Sequence, residues 1–243
     1  MQKIIGRKPV LEALNSGREI DRIILSFGQK GDIVDSIRIA AKKRKIKLTQ
    51  LSPHKFKGYE KGLNSQGVIA FISDYSFWKL NALIEQSKKK VNPLILILDE
   101  IQDTQNVGAI FRTAESVGVN GIIVTTRNSA PINETVEKTS AGAISHLRIS
   151  PITNLHQGME ELKKNGFWIV GSSLNESSKL YTQVDYTGPI AMVVGNEEKG
   201  IRQRVAEYCD HLVKIPMEGK VQSLNVSVAA GVLLFEVLRQ RSL

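Results

Sequence analysis

The chain holds one cysteine, Cys209, among 243 residues. That excludes an internal disulfide and a zinc site built from cysteines. No apolar run approaches the roughly 20 residues that a helix needs to span a bilayer. The first ten residues, MQKIIGRKPV, lack the apolar core and small-residue cleavage site of a secretory signal. These absences lead us to expect a cytoplasmic protein with no membrane partner. The four histidines, His54, His146, His156 and His211, show no metal-ligand spacing, so no metal is expected. No Gly-x-Gly-x-x-Gly follows a strand pattern and no P-loop motif is present, which removes support from ordinary dinucleotide and nucleotide-hydrolase readings. Ser223 lies outside any Gly-x-Ser-x-Gly elbow, which argues against a serine hydrolase.

What is abundant is positive charge in one place. Residues 1–73 hold 15 Lys/Arg and 6 Asp/Glu, a balance of +9 that equals the net charge of the whole chain. A neutral body carrying a basic head suggests an appended nucleic-acid-binding unit. Within the head, helices are expected at 7–17 (ending at Gly17) and 32–43. Strands are expected at 22–27, 46–51 and 67–73, with a helical turn started by Ser52-Pro53. Residues 74–92 read as a linker with a short helix around Leu80, Leu83 and Ile84.

From residue 93 onward, strand and helix alternate. Strands are expected at 94–99, 121–126, 168–173, 190–195 and 211–215. Helices are expected at 106–118, 133–143, 155–165, 202–209 and 224–240. This pattern implies an α/β domain with a doubly wound, mostly parallel sheet, whose ligands sit at the carboxyl ends of the strands. Three loops fall there. In the first, Val107, Ile110, Phe111, Ala114 and Val117 form the buried stripe of a helix, while Gly108, Arg112 and Glu115 lie on the other face. Gly108 carries no side chain, so the face beneath Arg112 reads as open ground for an anion. The second is Val194-Gly195-Asn196-Glu197-Glu198-Lys199-Gly200, where glycines allow close backbone approach. The third runs from Ile215-Pro216-Met217 to Ser223-Leu224-Asn225; Ser223 can cap the last helix, which leaves Asn225 without a structural reason.

Together the three segments resemble the SpoU family of RNA ribose 2′-O-methyltransferases, within the SPOUT superfamily. Asn106-Val107-Gly108 with Arg112-Thr113-Ala114, Val194 to Glu197 with Gly200, and Ile215 to Met217 with Ser223-Leu224-Asn225-Val226-Ser227 occur in the family's order and spacing. The head, with Gly6 near its start and Gln66-Gly67 near its end, is similar to a ribosomal-protein-like substrate-binding domain found in the subgroup that methylates a guanosine of 23S ribosomal RNA. One departure is Ser65, where that subgroup's pattern has histidine.

The resemblance implies a C-terminal SPOUT α/β-knot domain (93–243), a deep trefoil knot, behind a small N-terminal α/β RNA-binding domain (1–73). It implies S-adenosylmethionine as cofactor, held by main-chain groups of Gly195, Ile215 and Leu224, with Thr125, Asn196, Glu197 and Met217 around it. Arg112 is the implied catalytic residue, as general base or as a clamp on the target phosphate, supported by Asn106, Glu115, Ser223 and Asn225. Ribosomal RNA, naked or in an assembling large subunit, is the implied substrate. A homodimer is implied, with Val226, Ala229, Ala230, Leu233 and Val237 of the last helix contributing to its interface. A tRNA or antibiotic-resistance methylase of the same family and a non-catalytic RNA-binding factor are the alternatives.

Overall fold

The structure, a computed structural model, describes residues 2–16, 20–60, 64–72, 76–175, 177–197, 199–220 and 223–242. Gly17, Glu198 and the expected boundary at 73/74 lie outside the described residues. The chain divides into two compact units, Met1–Ser76 and Phe77–Leu243.

The first unit runs β1 (Gln2–Ile5), α1 (Arg7–Asn15), β2 (Ile20–Ser26), α2 (Asp32–Lys43), β3 (Lys47–Leu51), α3 (Pro53–Glu60) and β4 (Val68–Ile72). Its sheet has the order β1-β4-β2-β3, with β2 parallel to β3 and both β1 and β2 antiparallel to β4. Alternation along the strands feeds two cores. Ile23, Leu25, Val68 and Ala70 pack under Val10 and Leu14 of α1 and Val34 and Ile37 of α2. Ile24, Ile69 and Phe71 face Phe56 of α3 on the other side. Strand β1 has no counterpart in the sequence reading, being only four residues long.

The second unit runs α4 (Leu80–Ser87), β5 (Leu94–Asp99), α5 (Thr104–Ser116), β6 (Gly121–Thr125), α6 (Glu134–Thr139), β7 (Ile149–Ile152), α7 (Leu155–Lys164), β8 (Trp168–Ser172), β9 (Lys179–Leu180), β10 (Ile190–Gly195), α8 (Gln203–Tyr208), β11 (His211–Lys214) and α9 (Val226–Arg241). Its sheet, of the described residues, has the order β7-β6-β5-β10-β8-β11-β9 with every recorded pairing parallel. The chain leaves β5 towards β6 and β7 on one side, while β10 flanks β5 on the other, which makes a topological switch point between β5 and β10. All six residues of β5 are buried, as expected for a strand covered on both faces. Ile95 and Ile97 join Leu83 of α4, Met159 of α7 and Val205 of α8, while Leu94, Leu96 and Leu98 point the opposite way.

The expected linker at 74–92 is, from Phe77 on, part of this unit. Leu83 and Ile84 are buried in the main core, and the Trp78 amide donates to the Ile149 carbonyl at 2.8 Å. An apolar stripe of that kind needs cover, and here β7 and α7 provide it. Strand β7 (Ile-Ser-Pro-Ile) was not expected; Pro151 lacks a donor and is tolerated because β7 is the sheet's edge.

Helix α9 packs on α5 and is fastened at its end. Arg241 donates to three carbonyls, those of Tyr186 (2.9 Å), Asn92 (2.8 Å) and Gly188 (2.8 Å). Of the five residues that the resemblance assigns to a dimer interface, Val226, Ala230, Leu233 and Val237 are buried within this unit, and Ala229 is half-buried. The outward apolar residues of α9 are Val228, Phe235 and Leu238.

Candidate active site

The carboxyl ends of β10, β8 and β11 open into a cavity of about 530 Å³. Gly195, Asn196 and Glu197 line it from the β10 loop, Ile215 and Met217 from the β11 loop, and Ser223 and Leu224 from the run into α9. Seven of the twelve sequence-derived site residues therefore meet around one space. A fourth wall, Ser172 to Asn175 at the end of β8, carries none of the residues expected from the sequence. The signal was available: it too follows a strand's carboxyl end, but its Ser and Asn residues read as ordinary turn chemistry.

The β10 loop is built before any ligand arrives. A Cβ on Gly195 would lie 2.2 Å from the carbonyl carbon of Gly200 and from the Ile201 nitrogen. The glycine thus makes room for the loop's own backbone at the cavity wall. Asn196 and Gly200 exchange backbone hydrogen bonds of 3.0 and 2.9 Å across the turn, and Gly200 takes φ +67°.

Behind the loop stands Asp99, fully buried at the end of β5. Its two oxygens accept from the Arg202 backbone nitrogen (3.0 Å) and Nε (2.8 Å), and Arg202 also pairs with Glu100 at 3.0 Å. Glu100 sits at φ +57°, a strained conformation for a side chain of its size. Four contacts hold it there: Arg202, the Asn128 amide donating to its carboxylate (3.3 Å), the Thr125 hydroxyl accepting from its amide (3.1 Å), and the Asn196 amide donating to its carbonyl (3.2 Å). Thr125 is accordingly spent on this kink and on a 2.6 Å hydrogen bond with Ser129; it does not line the cavity. The Asp99–Arg202 pair spans 103 residues and no local pattern in the sequence announces it.

The three motif loops are joined at the cavity's rim. Asn225 Nδ2 donates to Asn106 Oδ1 at 3.0 Å, and Asn106 Nδ2 donates to Glu197 Oε1 at 2.8 Å. Asn225 is also the N-cap of α9, accepting from the Ser227 amide at 2.9 Å. This corrects the expectation that Ser223 caps the helix. Ser223 is exposed and faces the cavity, and Asn225 has both a structural reason and a second contact.

Arg112 is exposed on α5, and its guanidinium makes no hydrogen bond or ion pair among the described residues. Glu115, expected to orient it, does not pair with it. The face beside Gly108 is not open either. A Cβ there would meet Thr139 Cβ at 2.5 Å and the Val136 carbonyl at 3.1 Å, because α6 crosses α5 at that point. Gly108 is a helix-crossing residue, and Arg112 projects past the crossing into solvent.

Fold and site define an α/β protein with a preformed small-molecule cavity at the carboxyl edge of a parallel sheet, beside a polar rim that joins three loops. The chain belongs to the SpoU rRNA Methylase family, whose model matches residues 93–235. A second model, RNA 2′-O ribose methyltransferase substrate binding, matches residues 3–78. A TrmH family tRNA/rRNA methyltransferase of Staphylococcus aureus (strain COL) is 38% identical over 239 residues, covering 98% of this chain and 96% of its own. An AdoMet-bound rRNA methyltransferase from Sinorhizobium meliloti superposes with TM-score 0.65 at 24% identity, over 98% of this chain and 86% of that one. The A. aeolicus TrmH/SpoU tRNA modifying enzyme superposes with TM-score 0.59 at 38% identity, over 67% of this chain and 82% of that one. The protein is an RNA 2′-O-ribose methyltransferase of this family.

Proposed function

We propose that the protein methylates the ribose 2′-hydroxyl of a guanosine in 23S ribosomal RNA, using S-adenosylmethionine. The observation that carries this reading is the cavity rim, where Glu197, Asn106 and Asn225 form one hydrogen-bonded line. The cavity's size lies within the ~300–1,000 Å³ of small-molecule sites. Its walls combine apolar Val194, Ile215 and Leu224 with serine hydroxyls and the Glu197 carboxylate, which suits a cofactor carrying both an adenine ring and a cationic centre. Backbone groups of Gly195, Ile215 and Leu224 would hold the adenine and ribose, with Asn196, Glu197 and Met217 around them. When bound, the cofactor supplies an electrophilic methyl group.

The chain's own residues handle the other reactant. Arg112 presents a planar guanidinium whose paired donors match the geometry of a phosphate. It clamps a phosphate of the target nucleotide and stabilises the oxygen as negative charge develops there. Asn106 and Asn225 fix the rim against which the nucleotide docks, so that positioning supplies much of the rate. Since Arg112 does not line the cavity of its own chain, we place it against that of a second copy, in a homodimer. Val228, Phe235 and Leu238, exposed along α9, form the matching apolar stripe. In this reading the run from β11 into α9 passes through a loop of the chain as a trefoil knot. The basic first unit grips the ribosomal RNA.

Tritiated methyl transfer, assayed against 23S ribosomal RNA and bulk tRNA from strains lacking the modification, tests the proposal. A ribose-methylated guanosine in 23S RNA is expected; transfer only to tRNA sinks the ribosomal assignment.

A further inference from the structure

The topology of the first unit gathers four connections at one edge of its sheet. The ends of β1, β2 and β3 and the start of β4 lie together there, because β1 and β2 are antiparallel to β4 and β3 is parallel to β2. The edge therefore collects Arg7, the loop from Phe27 to Gly31, the turn of Ser52 to Lys55, and Asn64 to Gly67.

One residue at that edge is out of keeping with its surroundings. Phe27 is 70% exposed. A single exposed apolar side chain is ordinary; one presented from a loop fastened on every side is not. The Phe27 amide donates to the Leu51 carbonyl at 2.7 Å, and the Ser26 amide to the Gly67 carbonyl at 2.9 Å. Arg7 donates to the Gln66 carbonyl at 3.0 Å and to the Gln29 side chain. Arg38 reaches the Gln29 carbonyl at 3.4 Å, and the Gln29 side chain packs on Gly67, where a Cβ would overlap it. Gly28 and Gly31 take φ of +85° and +115°, which lets the chain turn sharply on both sides of Gln29. The result is a rigid arm holding an aromatic ring in solvent.

The surroundings favour a nucleic acid. Lys30, His54, Lys55 and Gln66 are exposed on the same edge, within the unit that carries nearly all of the chain's excess positive charge. Asp32 and Asp35 occupy the first turn of α2, just after the arm. They disfavour a phosphate at that helix's start and leave stacking as the contact available to Phe27.

We infer that Phe27 is a stacking platform for an unpaired nucleobase of the RNA substrate, with the flanking cations on its backbone. RNA is read in this way at loops and bulges, where bases are splayed out; a continuous duplex hides its faces. The inference rests on the reading of the chain as an RNA methyltransferase and assigns the first unit a contact within it.

The test uses the full chain and three variants of its RNA affinity. Against in vitro transcribed 23S RNA and a short hairpin with an open loop, Phe27→Ala is expected to bind roughly tenfold more weakly. The dependence of affinity on salt should not change, because a phenyl ring releases no counterions. Lys30→Ala should do the converse, flattening the salt dependence. Phe27→Trp is expected to bind as the native protein does, with emission quenched by the looped hairpin and not by a continuous duplex. Undiminished binding by Phe27→Ala, or unquenched emission from Phe27→Trp, overturns the inference alone. A change in oligomeric state in Phe27→Ala overturns it in favour of a protein contact at this edge. A native protein that neither binds RNA nor transfers methyl groups overturns both readings.

Discussion

Asn225 and Asn106 stand 119 residues apart in sequence and 3.0 Å apart in space, the amide of the first donating to the carbonyl oxygen of the second. The link has a direction. Asn106 spends its oxygen on Asn225 and its NH2 on Glu197, so it joins a donor on one side to a carboxylate on the other. Only a side chain with both a donor and an acceptor can stand in the middle.

That polarity makes Asn225→Asp an informative variant. An aspartate still caps α9, so thermal stability should stay within about 1 kcal/mol of the native protein. It offers Asn106 a second carboxylate, however, and the single NH2 of Asn106 cannot serve both ends. Methyl transfer is expected to fall more than tenfold with little change in the unfolding midpoint. Equal activity would mean that the rim plays no part in positioning.

Arg112→Ala should abolish methyl transfer while leaving cofactor affinity, measured by calorimetry, near the native value. Arg112→Lys separates the roles. A bidentate clamp does not survive the exchange of a planar fork for a point charge, so the lysine variant should be almost as inactive as the alanine variant. Substantial turnover with lysine would move the assignment from clamp to simple charge.

Gly108→Ala reverses what helix propensity alone would suggest. Alanine is favoured over glycine inside a helix by roughly 1 kcal/mol. Here the added methyl would overlap Thr139 and crowd the Val136 carbonyl. Overpacking of this kind costs about 1–3 kcal/mol, so denaturant unfolding should show a net loss of stability. Enlarging this site without penalty would contradict the close crossing of α5 and α6.

Cys209 is set to be inert. Its thiol donates to the Val205 carbonyl at 3.2 Å. Burial first, and then the negative charge of Asp210, push its pKa up to about 12. The folded value lies above the unfolded one, so the associated stability is present at neutral pH and declines as pH rises through the alkaline range. At pH 8 alkylation by iodoacetamide should run at least about 100-fold slower in the native protein than in the denatured one. Comparable rates would show that the thiol is not held in its neutral form.

Much of the second unit was legible because its signals are local. The run Leu94 to Asp99 is apolar throughout, and α5 repeats its buried residues at helical spacing. Strand β7 was hidden by Pro151, whose meaning depends on lying at an edge, and β1 by its brevity. The site was legible as three loops but not as a connected object. Which face of Gly108 was covered depended on α6, and what Gly195 made room for depended on Gly200 and Ile201. Asp99 with Arg202, and Asn106 with Asn225, are pairings between residues far apart in sequence, set by the order of strands in the sheet.

The two ends of α9 have a consequence for traffic through the cavity. Asn225 pins the first turn to α5 and the rim, while Arg241 holds the last turn to three carbonyls around Asn92 and Tyr186. A helix moored at bow and stern cannot swing as a lever. With the β10 loop also held by its own turn and by Asn106, the walls left to part for a fresh cofactor and a spent one are the loops following β8 and β11. The residence time of the small molecule should therefore answer to substitutions there and be indifferent to those along the exposed side of the helix.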